Sequence, residues 1–215
     1  WLGDLSIEIV TVELPGHGQR FNEDLISTAE EIAFQLIPEL LPFFQEPIFL
    51  LGHSMGAILA FESVRQLLKL DKKPNHLYII GAFAPHVRRA AISDEIDEVF
   101  LQKLENIGGM PREILQDQEL MQYMLPIIRN DFKVVEQYKQ EVKSFACPIT
   151  VYGSEKDIVP ERDLRKWQDV NPLHFTLQMF KGDHFFLHEQ NRDFQLALQK
   201  SINHQIKKYD QERYA

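Results

Sequence analysis

The chain has 215 residues, of which 44% are hydrophobic and 26% charged, enough for one domain with a substantial core and too few for two comfortable ones. A net charge of −9 argues against a nucleic-acid surface, and no apolar run approaches the length of a membrane span. The single cysteine, Cys147, cannot form an internal disulfide and the N-terminus carries no charged-then-apolar secretory signal, so a reducing, cytoplasmic setting is expected.

In chain order, Ile7-Glu8-Ile9-Val10-Thr11-Val12 predicts a strand, ended by the loop Leu14-Pro15-Gly16-His17-Gly18. Residues 28–41 carry Ile32, Leu36 and Leu40 at a spacing of four, a helix stopped by Pro42. Ile48-Phe49-Leu50-Leu51 is a short β-prone run opened by Pro47. After Gly52-His53-Ser54-Met55-Gly56 comes a helix with Ala57, Phe61, Val64 and Leu68 on one face, ending near Leu70 among the solvated Lys69, Asp71, Lys72 and Lys73. His76-Leu77-Tyr78-Ile79-Ile80-Gly81-Ala82 is the next strand. Strands alternating with helices imply parallel βαβ units and an α/β sheet.

Between about Pro85 and Phe145 the alternation stops. Amphipathic helices are expected there, separated by Gly108-Gly109, Pro111 and Pro126, with Phe100, Leu101, Leu104, Leu120, Met121, Met124, Leu125, Ile127 and Ile128 as apolar surface. Such an insertion (86–145) reads as a lid over an active site, or as a helical layer packed permanently on a core made of 1–85 and 146–215. The alternation resumes with Ile149-Thr150-Val151-Tyr152-Gly153, a helix around Leu164 to Trp167, the strand Phe175–Phe180 and a final helix from about Arg192, whose polar last ten or so residues are expected to fray. Cys147, opening the first of these strands, is expected to be a buried structural thiol.

Strand, G-x-S-x-G, helix is the context of a nucleophile elbow. The turn carrying Ser54 is expected to be too sharp for side chains at Gly52 and Gly56, with His53 and Met55 beside the serine. The following helix aims its first N–H groups, Met55 foremost, at the place where an oxyanion would form. A serine hydroxyl needs a histidine to take its proton, and the histidine needs a carboxylate to hold its tautomer. In α/β-hydrolases the acid and then the histidine follow on loops after later strands. Gly153-Ser154-Glu155-Lys156-Asp157 offers Asp157, with Glu155 as a rival; Gly182-Asp183-His184-Phe185 offers His184. His174 begins a strand at the wrong end of the sheet, and His188 lies a turn beyond His184. His53 shapes the pocket, and Asp183 is too close in sequence to face His184 well. No metal-ligand spacing occurs, so no metal is expected.

With these residues in view, the chain resembles the type II thioesterases that accompany non-ribosomal peptide and polyketide synthases. The resemblance runs nearly end to end. It includes Leu14-Pro15-Gly16-His17-Gly18-Gln19-Arg20, the Gly52–Gly56 nucleophile motif, the Ala84-Pro85-His86 turn, and Gly182-Asp183-His184-Phe185. Its most specific stretch is Gly108-Gly109-Met110-Pro111 followed by Met124-Leu125-Pro126-Ile127-Ile128-Arg129-Asn130-Asp131-Phe132. The resemblance implies an α/β-hydrolase fold, a mostly parallel sheet flanked by helices with a helical lid, and Ser54 and His184 as nucleophile and base. It implies hydrolysis of acyl groups from the phosphopantetheine arm of acyl or peptidyl carrier proteins, by a monomer that needs no cofactor, since the arm belongs to the substrate. The family usually has its aspartate at the position of Lys156, so Asp157 is shifted by one and Glu155 stays open. The family also has an upstream strand and a glycine-rich loop giving the second oxyanion N–H. Trp1 matches a tryptophan soon after that loop, so roughly twenty to thirty residues are expected to precede it. The rival readings are a general esterase, a medium-chain fatty-acyl thioesterase, or a non-catalytic module that binds carrier protein on a hydrolase scaffold.

Overall fold

Short β-branched and aromatic runs bounded by Pro, Asn and Gly form the sheet. The computed structural model describes residues 2, 7–141, 145–187 and 191–213, apart from the Glu212 side chain; Trp1 and His188 lie outside them. Four parallel strands, β1 (Phe49–His53), β2 (His76–Ile80), β3 (Ile149–Ser154) and β4 (Phe175–Phe180), lie side by side in chain order. Right-handed crossovers in a sheet built in one direction must all lie on one face. Accordingly, α2 (Met55–Lys69), α5 (Gln118–Gln137) and the turn of helix α6 (Glu161–Leu164) with its 3₁₀ extension Arg165–Asp169 share one core with Leu77, Ile79, Ile149 and Val151. α1 (Ala29–Leu40) joins them there.

The alternate residues Tyr78, Ile80 and Tyr152 point to the opposite face. They are covered by α7 (Arg192–Arg213) through Phe194, Leu198 and Ile202, one apolar residue per turn. α7 continues through the polar end of the chain to Arg213, further than the composition of that end suggests.

Two expectations change. Residues 7–12 make no strand: among the described residues nothing pairs with them, and Ile9, Val10 and Val12 are half exposed. Alternating apolar residues report a tendency to bury one face; they do not supply the neighbour whose ladder makes a strand. Pro126 does not divide the insertion, because α5 runs through it. Pro126 and Gln122, whose carbonyl loses its helical donor, both lie on the exposed side, where water can satisfy that oxygen. Pro38 in α1 is exposed in the same way, and Pro42 ends α1 only by tightening the chain into the 3₁₀ segment Leu41–Gln45.

The insertion between β2 and β3 consists of α3 (Asp97–Ile107), α4 (Arg112–Gln116) and α5. Four consecutive residues of α5 tie it down. Arg129 donates to Ser93 O and to Asp97 Oδ1, its guanidinium 4.3 Å above the Phe100 ring. Asn130 donates to Ile26 O at 2.8 Å and accepts from Ser27 Oγ at 2.9 Å. Asp131 Oδ2 meets His17 Nε2 at 3.1 Å, and Phe132 stands edge-on to Phe100. Beyond α5, the Tyr138 hydroxyl donates at 2.6 Å to Glu62, a carboxylate only 2% exposed in the middle of α2. Arg65 and Gln66 also donate to Glu62, so its buried charge is matched. Burial and the Glu62 carboxylate push the Tyr138 hydroxyl well above its usual pKa.

Cys147 is fully buried, and burial pushes its thiol up to about 12. His76, at the start of β2, is 4% exposed with Nε2 2.8 Å from Thr150 Oγ1. Burial, aided by Lys208 and His204, pushes its pKa from 6.5 down to about 4. The unfolded chain therefore takes up this proton first as pH falls. The stabilisation from neutral His76 is whole above the unfolded value and is lost between about 6.5 and 4, on the order of 3 kcal/mol. Urea midpoints at pH 7 and pH 4.5 should therefore differ more in the native protein than in His76→Phe. Equal differences would show that His76 does not carry this pH dependence.

Candidate active site

All four strands are parallel, so their carboxyl ends share one edge of the sheet, where an α/β fold collects its functional loops. β1 ends at His53 and turns at Ser54 into α2. Ser54 has φ 52° and ψ −116°, a left-handed conformation that a serine adopts only when its surroundings impose it. The Ser54 N–H donates to Ile80 O at 2.9 Å, and Ser54 O accepts from the Ala57 N–H. The two flanking glycines are not equivalent. A Cβ on Gly52 would lie 2.1 Å from Gly56 O, so glycine is obligatory there. A Cβ on Gly56 would meet nothing within 4 Å, which corrects the expectation that both sides of the turn are too tight.

Ser54 Oγ lies 3.0 Å from His184 Nε2, and His184 Nδ1 lies 2.7 Å from Asp157 Oδ1. A carboxylate only accepts, so Nδ1 carries the proton and Nε2 is left as the acceptor for the Ser54 hydroxyl. The His184 and Asp157 side chains are 4% and 0% exposed, so little solvent screens the pair. Asp157 Oδ1 also accepts from the Val159 N–H at 3.0 Å.

The loops are stitched together beyond the last ladder rung. The Glu155 N–H donates to Phe180 O, and the Lys156 N–H donates to Gly182 O. The buried Ser154 hydroxyl donates to Asp183 O at 2.6 Å. This extension separates the two carboxylates: Glu155 is held along the ladder with its side chain exposed, while Asp157, two residues later, turns inward to the His184 ring. Asp183 Oδ1 accepts from the Phe185 N–H and does not face the His184 ring. His174 precedes β4 at the opposite edge of the sheet.

Three residues have a place at the site that the sequence reading did not assign to them. Gly81, φ +57°, follows β2; a Cβ there would lie 3.0 Å from Asp157 Oδ2 and 3.3 Å from the His184 ring. A glycine just past an apolar parallel strand was the available signal. Trp167, fully buried, donates from Nε1 to Ala82 O at 2.7 Å and holds that segment. Gly109, φ +82°, lies on the Phe185 ring, which a Cβ would approach to 2.2 Å, so the insertion rests directly on the His184 loop. Among the described residues, no cluster of His, Cys, Asp and Glu could hold a metal ion, and no helix is long and apolar enough to cross a membrane.

The thioesterase domain family model matches residues 2–205. The chain belongs to the thioesterase family. The gramicidin S biosynthesis protein GrsT of Aneurinibacillus migulanus is 36% identical over 190 residues, 86% of this thioesterase and 74% of that protein. Thioesterase PikA5 of Streptomyces venezuelae is 30% identical over 190 residues, 86% and 68% of the two chains. Among solved structures, YbtT, a type II thioesterase from the yersiniabactin NRPS/PKS biosynthetic pathway, superposes with a TM-score of 0.83 at 29% identity, covering 90% of this chain and 81% of that one. The fold is thus that of the α/β-hydrolase thioesterases, as the sequence reading implied.

Gly81→Ala should remain folded but lose about 1–2 kcal/mol of stability from the strained backbone, and turnover should fall by at least about tenfold as Asp157 and His184 are displaced. Thermal melting and a thioester assay check both; unaltered turnover would mean that Gly81 is not what makes room for the pair.

Proposed function

We propose that this thioesterase is an editing enzyme that hydrolyses acyl groups from the phosphopantetheine arm of carrier proteins in non-ribosomal peptide or polyketide synthesis. The observation that carries the reading is the hydrogen-bonded series Ser54 Oγ–His184–Asp157 at the carboxyl edge of the sheet, in a chain related to synthase-associated thioesterases.

In the first half-reaction His184 Nε2 takes the Ser54 proton as Oγ bonds to the thioester carbonyl carbon. Asp157 Oδ1 holds the Nδ1 proton and stabilises the imidazolium. The carbonyl oxygen becomes an oxyanion at the mouth of α2, within reach of the Met55 N–H, one of the first-turn donors that a helix leaves without acceptors. Collapse of the tetrahedral intermediate breaks the C–S bond. The thiolate leaves as a good leaving group and gains the proton held at Nε2. In the second half, His184 Nε2 takes a proton from water as that water attacks the acyl-serine carbonyl. Return of the proton to Ser54 Oγ releases the free acid. No step requires a cofactor, and the pantetheine arm departs with the carrier protein.

The helical insertion, seated on Phe185 and pinned through Asn130 and Asp131, would roof the acyl chain beside His184. The deciding experiment is hydrolysis of a short-chain acyl-phosphopantetheinyl carrier protein by the full-length protein, read as liberated thiol and compared with a p-nitrophenyl ester of the same acyl group. Preference for the carrier thioester is the expected result; preference for the oxygen ester would make the protein a general esterase. Ser54→Ala should abolish hydrolysis with an unchanged melting curve, and wild-type-like turnover would remove Ser54 as nucleophile. Asp157→Asn should lower turnover by a factor on the order of 10⁴ and Glu155→Gln by less than about twofold; the reverse pattern would transfer the acid role.

A further inference from the structure

Along the carboxyl edge of the sheet Ser54 and His184 come from its two outer strands: the serine follows β1, and the histidine loop follows β4. The ladder extension ties the His184 loop to the acid loop after β3, two strands away from the nucleophile. Among the described residues, a second side chain spans the remaining distance beside that of Ser54 itself. His53, the last residue of β1, places Nε2 at 2.9 Å from the backbone oxygen of His184. A carbonyl only accepts, so Nε2 carries the proton and donates. The two imidazole rings lie 4.7 Å apart, and the Phe185 ring meets both nearly edge-on.

The neighbours of His184 are held independently. Gly182 O accepts from the Lys156 N–H, and Asp183 O accepts from Ser154 Oγ and the Phe186 N–H. Among the described residues, the hydrogen bond to the backbone of His184 itself comes from His53.

We propose that His53 is a positioning residue for the general base: by donating to His184 O it locks the histidine loop in register with the nucleophile elbow it adjoins. The proposal rests on the serine-hydrolase reading above. Proton transfer between Oγ and Nε2 depends steeply on their separation, and both half-reactions use the same nitrogen. A loop released by a few tenths of an ångström should therefore lose chemistry while ground-state binding stays as it was.

The test compares His53→Phe, which keeps an aromatic ring and deletes the donor, with His53→Gln, whose amide N–H reaches about as far as Nε2. Expected for His53→Phe is a fall of about tenfold in kcat with KM within about twofold, and an equal slowing of Ser54 labelling by a fluorophosphonate. His53→Gln should recover most of both rates. Labelling needs no carrier protein, so it separates this proposal from the substrate assignment. Wild-type labelling with His53→Phe unchanged would overturn the positioning role alone. Equal losses in Phe and Gln variants of matched melting temperature would also overturn it, since the donor would then not be the cause. Absence of labelling in the wild type would remove the hydrolase reading and this proposal with it.

Discussion

The 2.7 Å hydrogen bond between His184 Nδ1 and Asp157 Oδ1 is the interaction around which the rest of the structure is arranged. A buried carboxylate facing a buried imidazole is costly unless each finds its partner, and here the partner has to arrive from a different loop. The parallel ladder of β3 and β4, continued past Ser154 by two backbone bonds and by the Ser154 hydroxyl, delivers the two loops in register. Gly81 leaves the space that a side chain would take from the pair, and Trp167 holds the segment that contains it. The tautomer that results leaves Nε2 facing the Ser54 hydroxyl as an acceptor, so a hydrogen bond on one side of the ring sets the role of the nitrogen on the other.

The helical insertion is joined to the core at its later end and rests on the site at its glycine turn. Arg129 and Phe132 bind α5 to α3 and the loop before it, within the insertion, while Asn130 and Asp131 join it to the chain before α1 and to His17. Buried Glu62 adds a charge-matched anchor at Tyr138, beyond α5. The Gly108-Gly109 turn, by contrast, meets the His184 loop through a close contact with one ring.

Much of this was legible in the residues because the signals are local. The G-x-S-x-G turn between a β-run and a helix marks its own geometry, and the order serine, acid, histidine limits the partners to two loops. Four strands of the sheet follow from apolar runs bounded by turn residues. The misreadings came from treating a local signal as complete. Ile7-Glu8-Ile9-Val10-Thr11-Val12 is as β-branched as a strand would be, yet among the described residues no neighbour supplies a ladder. Pro126 looked like a break, but its exposed side lets water serve the orphaned carbonyl and the helix continues. Gly52 and Gly56 looked equivalent, and only Gly52 is crowded.

The α/β class, the sharp turn at Ser54 and the loop that carries His184 could be read from the chain alone, because spacing and turn chemistry act over a few residues. Only the packed fold brings Asp157 and not Glu155 to the His184 ring, sets Gly81 against the pair, and carries His53 to the carbonyl of His184. Those relations join residues 27 to 131 positions apart. Which side chains meet across such distances depends on strand order and register, and no local pattern in the chain encodes either.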